Sequence, residues 1–185
     1  MDRPLASAPK PVALLRSAVS QLVAGASLTF SSVPDGFDSF LAADLVRALA
    51  AKAEGRAAAL VHVARDGQRA QAFEEAFRFA APDVEIVSLP AWDCQPYDRV
   101  SPNAAIAAQR MTALARLARA RGSAERPRLV STTVNAILQR VAPRDWMAAE
   151  TLAAAPGNAL DMDELVRWLE SHGFLRSSTV RETGE

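Results

Sequence analysis

At 185 residues the chain is long enough for one domain, or for one domain and part of another. Its 21 basic and 21 acidic residues balance, which excludes a global field drawing it to nucleic acid or membrane, and its one cysteine, Cys94, excludes an intramolecular disulfide framework or a multi-cysteine metal site. No apolar run approaches the roughly 20 residues that span a bilayer, and Ser17, Ser20 and Gln21 interrupt the apolar core of the one stretch resembling a signal peptide, so a cytoplasmic location is expected.

Residues 11–24 place Leu14, Leu15, Ala18, Leu22 and Val23 at near-helical spacing before Gly25, which predicts a first helix. Residues 28–33 form a short β-prone run. It leads through Pro34-Asp35-Gly36 into a helical pattern carrying Phe40, Leu41, Leu45, Ala48 and Leu49. Strand, glycine turn and helix is the setting of a phosphate-binding loop, but the residues fail that test. With Gly36 aligned to the second glycine, Ser31 stands at the first, Phe37 replaces the lysine that holds the β and γ phosphates, and Asp38 replaces the metal-binding hydroxyl. An ordinary strand-to-helix turn is the expectation.

Residues 57–63 are continuously apolar apart from His62, which predicts a strand covered on both faces with the histidine in a structural role. Asp66 is placed to cap a helix striped by Ala70, Phe73, Ala76, Phe77 and Ala80 and stopped by Pro82, and residues 84–87 give a third strand. This alternation predicts an α/β fold, a parallel sheet flanked by helices.

Residues 89–103 read differently from both flanks. Pro90, Pro96 and Pro102 exclude a regular helix or central strand, while Trp92 and Tyr97 can pin the segment as an ordered loop. It contains no nucleophile, base and orienter arrangement, so it is read as structural, with no catalytic, cofactor or metal residues assigned. Ser101 and Pro102 are placed to start a helix reaching about Arg121. Arg110 falls within the arc of Ile106, Leu114 and Leu117, which aims a cation at the covered side; either Asp98 or Asp93 compensates it, or its stem snorkels to water. Arg116, Arg119, Arg121, Arg126 and Arg128 have no interleaved aromatic residues and read as a solvated face. Residues 129–131 predict a fourth strand, and Thr132 or Thr133 a cap for a helix through Val141.

Beyond Pro143 the balance changes: residues 144–185 hold 8 acidic residues against 4 arginines, where residues 1–143 hold 13 against 17. A boundary is expected there. Asp161 and Glu164 mark a helix start and Gly173 its stop, with Leu165, Trp168 and Leu169 on the apolar side. One helix and a partial strand cannot bury a core. The tail is therefore expected to be the start of a truncated small α+β domain.

With these residues assembled, the chain resembles the N-terminal, UvrB-like region of the bacterial transcription-repair coupling factors (Mfd). The resemblance is carried by Trp92 and Pro96-Tyr97-Asp98, the helix containing Arg110, residues 129–141, and the tail from Asp161 through Gly173-Phe174 to Gly184-Glu185. It implies that residues 1–143 are a degenerate, RecA-like helicase domain without a functional Walker A lysine or the DNA-gripping hairpin of UvrB. It also implies that residues 144–185 begin the domain by which the family recruits UvrA. The family's Gly-Tyr-x-Arg pattern falls on Gly173-Phe174-Leu175-Arg176, which makes Arg176, with Phe174 and Arg181, the implied protein contacts. RNA polymerase and DNA would be engaged by other parts of the longer protein, and no cofactor is implied. The alternative is a helicase-like ATPase using a divergent turn at residues 31–38.

Overall fold

A computed structural model describes residues 25–53, 58–95, 99–119 and 126–179. Two compact units divide the chain, Met1–Glu150 and Thr151–Glu185. The predicted helix at residues 11–24 lies outside the described residues, as do Pro96, Tyr97, Asp98 and Arg181.

The first unit is built on a parallel three-stranded sheet ordered β1-β3-β2, from β1 (Ala59–Ala64), β2 (Glu85–Leu89) and β3 (Arg128–Thr133). Helix α1 (Phe37–Lys52) precedes β1, α2 (Gly67–Ala80) joins β1 to β2, and α3 (Ala104–Arg119) joins β2 to β3. This is the α/β arrangement that the alternating periodicities predict. Leu129, Val130, Ser131, Thr132 and Thr133 are all buried, as expected of a central strand covered on both faces. On one face Ala43 and Val46 of α1 and Phe73 and Phe77 of α2 pack with Leu129 and Val84 into the core. In-register pairing sets His62, Ser131 and Ser88 in one row across the three strands.

Residues 28–33 are not a strand. They make no ladder, and Leu28 and Phe30 are exposed, because β propensity alone does not form a strand without a paired edge. Helix α3 starts later than expected. Asn103, rather than Ser101, accepts the Ala105 N–H at 2.8 Å, and its carbonyl accepts the Ala107 N–H at 2.9 Å. Thr133 caps α4 (Val134–Ile137) by accepting the Ala136 N–H at 3.2 Å, but this helix ends four residues before Val141. A turn at Gln139 closes it. The next element, α5 (Arg144–Ala149), was not expected; Arg144 Nε donates to the Ala118 carbonyl of α3 at 3.0 Å, and Met147 is buried.

The second unit contains α6 (Met162–Ser171). Asp161 accepts from the N–H groups of Asp163 and Glu164, at 2.8 and 3.1 Å. Gly173, at φ +85°, turns the C-terminus so that the Phe174 N–H reaches the Leu169 carbonyl at 3.1 Å. None of the residues of α6 is buried.

Candidate functional site

Three places bear on function, beginning with the turn before α1. Gly36 adopts φ +82°, a conformation only glycine enters readily, and Ser39 Oγ donates to its carbonyl at 2.6 Å. Asp38 accepts the Ser39 N–H at 3.1 Å, and Arg69 NH2 reaches both Asp35 and Asp38 at 3.3 Å. A helix N-terminus otherwise suited to an anion is thus faced by two carboxylates. Beside it runs a groove of about 410 Å³ lined chiefly by Phe30, Val33, Leu41, Leu45 and Leu60. Its polar groups are Asp38 and His62.

His62 stacks on Phe73 with ring centroids 3.5 Å apart and planes 9° from parallel, and its Nδ1 is buried without a partner among the described residues. Burial pushes its pKa below the ordinary histidine value. Asp38 and Glu74 oppose that shift, and Arg69 adds to it.

The second place is the loop after β2, which is tied down at successive positions. The Leu89 carbonyl accepts from Thr132 Oγ1 at 2.9 Å, the Pro90 carbonyl accepts from Arg110 NH1, and the Trp92 N–H donates to Gln139 Oε1 at 3.0 Å. Asp93 accepts the Asn103 N–H through both oxygens, at 3.1 and 3.2 Å, so the loop closes on itself. Arg110 is 1% exposed, and its guanidinium lies 4.7 Å from the centre of the Trp92 ring. Burial lowers its pKa below the usual guanidinium value. Among the described residues it forms no ion pair, and Asp93 is engaged with Asn103. The snorkelling alternative does not describe this side chain.

The third place is the exit from α6. Trp168 and His172 stack at 3.8 Å, and His172 Nδ1 lies 2.7 Å from the Trp168 carbonyl. Phe174, Leu175 and Arg176 follow in the open, with Leu175 73% exposed. The structure places Phe174 and Arg176 in one exposed strip. Trp92 and Arg110 belong to the other compact unit.

Two polar positions were missed by sequence reasoning. Gln139 lies within the helix predicted through Val141, and nothing local signals its bond to Trp92. Glu74, 9% exposed, accepts from Ser88 Oγ at 2.6 Å and Arg78 NH2 at 3.0 Å through Oε2. Its signal was partial: at 100° per residue Glu74 lies about 40° beyond Ala70, at the margin of the arc of Ala70, Phe73 and Phe77. Among the described residues no group of three or more His, Cys, Asp or Glu side chains could hold a metal ion, and no helix is long and apolar enough to cross a membrane.

No family model matches the chain. It is similar to transcription-repair-coupling factors from several bacteria: 31% identical to that of Escherichia coli over 134 residues, 72% of this chain and 11% of the relative. It is 31% identical to that of Rickettsia bellii over 107 residues, 58% of this chain and 9% of the relative. With that of Myxococcus xanthus the identity is 34% over 99 residues, 54% of this chain and 8% of the relative.

Proposed function

With the chain a relative of the transcription-repair-coupling factors over 8–11% of their length, we propose that it is a non-catalytic recruitment module in transcription-coupled nucleotide excision repair. In this reading the first unit is a UvrB-like, degenerate helicase domain that serves as a platform, and the tail begins the surface that binds UvrA. RNA polymerase and DNA are contacted by other parts of the longer protein.

The observation that carries the non-catalytic reading is the arrangement at α1. An incoming triphosphate would meet Asp35 and Asp38, two carboxylates sharing the one guanidinium of Arg69, in place of a lysine, and Phe37, at the lysine position, stacks on Phe40 with centroids 6.1 Å apart. Repulsion between like charges at short range disfavours both phosphate and its metal complex. The recruitment reading draws on the relatives and on the exposed strip at residues 174–176. There Phe174 and Leu175 offer apolar area and Arg176 a bidentate donor for partner carboxylates, a combination common at the centres of interfaces.

Titration of purified UvrA against the chain tests the proposal. Saturable binding, weakened roughly tenfold or more by Arg176→Glu, is expected. Wild-type affinity in that variant removes the Arg176 assignment, and no binding by the unmodified chain removes the recruitment reading.

A further inference from the structure

The carboxyl ends of β2 and β3 open on a cleft of about 840 Å³, walled by the N-terminal turns of α2 and α3. Crevices beyond the carboxyl ends of parallel strands are where open α/β sheets take their ligands. Two buried polar side chains line this one with binding capacity to spare. Ser131 is 2% exposed, and its Oγ meets no partner among the described residues. Glu74 is 9% exposed; Oε2 receives both Ser88 and Arg78, while Oε1 takes no hydrogen bond among the described residues. An orphaned buried hydroxyl beside a half-used buried carboxylate is a costly arrangement unless something completes it.

The sign of the site follows from its walls. Asp66, Glu74 and Glu75 line it against one guanidinium, Arg78, whose side chain is 57% exposed. Asp66 already caps the positive end of α2 by accepting the Arg69 N–H at 2.8 Å, so little remains there to attract an anion. Phosphate is therefore the wrong chemistry, and a donor-rich cation the right one. Arg78 shows that the Glu74 carboxylate accepts a guanidinium at hydrogen-bond distance.

We propose that this cleft binds a guanidinium group, with Glu74 Oε1 and Ser131 Oγ as its acceptors. The group is supplied either by a small free guanidinium compound or by an arginine side chain of a partner. The site belongs to the first unit and the proposed UvrA contact to the second, and the one stands or falls independently of the other.

The test is NMR titration of the 185-residue chain with methylguanidinium chloride and, separately, with a short arginine-containing peptide, each against sodium chloride at matched ionic strength. Saturable shifts centred on the amides of Ser88, Ser131 and Gly67 are expected, with affinity falling roughly tenfold in Glu74→Gln and severalfold in Ser131→Ala. Tighter binding of the peptide assigns the group to a partner side chain; equal binding assigns it to a free ligand. If Glu74→Gln does not fold, Ser131→Ala decides. Shifts reproduced by sodium chloride, binding unchanged in the folded variants, or saturable shifts with inorganic phosphate overturn the proposal.

Discussion

Replacing Arg110 with alanine tests how the loop after β2 is held. The substitution removes a charge-assisted hydrogen bond to the Pro90 carbonyl, a type contributing about 1.5–3 kcal/mol, and a cation–π contact with Trp92 of about 0.5–2 kcal/mol. Against these stands the desolvation of a cation that is 1% exposed and whose Nε has no partner among the described residues, a penalty the variant relieves. The net expectation is a loss of about 2–3 kcal/mol, which for a domain of this size lowers Tm by roughly 5–10 °C. Thermal unfolding followed by circular dichroism reads the first quantity. Amide exchange at Trp92, whose N–H is bonded to Gln139, reads loosening of the loop itself. Arg110→Met separates packing from hydrogen bonding: it fills similar space but leaves the Pro90 carbonyl unpaired, and should remain destabilised by about 1–3 kcal/mol. An alanine variant melting with the parent and retaining Trp92 protection would show that Arg110 does not hold the loop.

Other outcomes follow from the same geometry. Because burial holds the His62 pKa below its unfolded value near 6.5, the unfolded chain binds the proton first as pH falls, so stability should decline from about pH 7 downward; His62→Gln should flatten that slope in melts across pH 5–7.5. Asp66 is held below the usual carboxylate range first by the Arg69 N–H and then by Arg65, so its contribution is present above the unfolded pKa and lost as pH falls through the folded one. Asp66→Ala should lower Tm at neutral pH, whereas Asp66→Asn, which can still cap α2, should lower it less. ATP with magnesium should leave Tm unchanged, whereas a nucleotide site at 100 times Kd would add about 2.7 kcal/mol.

Much of the first unit was legible because its periodicities are strong and locally determined. The run at residues 59–64 is apolar apart from His62, and Asp66 announces its helix through a cap that involves neighbours only, as Asp161 does in the second unit. The covering on both faces expected of the first run is not found, because β1 is an edge strand with Val61 and Val63 exposed. Arg110 was legible for the same reason, since 100° per residue fixes its face whatever else the chain does. What failed depended on partners distant in sequence. Residues 28–33 have the composition of a strand but pair with neither outer strand of the sheet, and the helix after Thr133 stops early, with Leu138 79% exposed and Gln139 turned toward Trp92. The Ser131, Ser88 and Glu74 grouping depends on strand register, which no local pattern specifies. Candidate contacts in the tail were suggested by resemblance alone, because an exposed Phe-Leu-Arg strip carries no periodic signal.

The proposed recruitment of UvrA is open to a competition experiment. UvrA is first bound to the full-length transcription-repair-coupling factor of Escherichia coli, and the 185-residue chain is then added in increasing excess. Progressive displacement by the parent chain and much weaker displacement by Arg176→Glu are expected. Undiminished binding of the full-length factor in the presence of saturating chain would contradict the proposed recruitment.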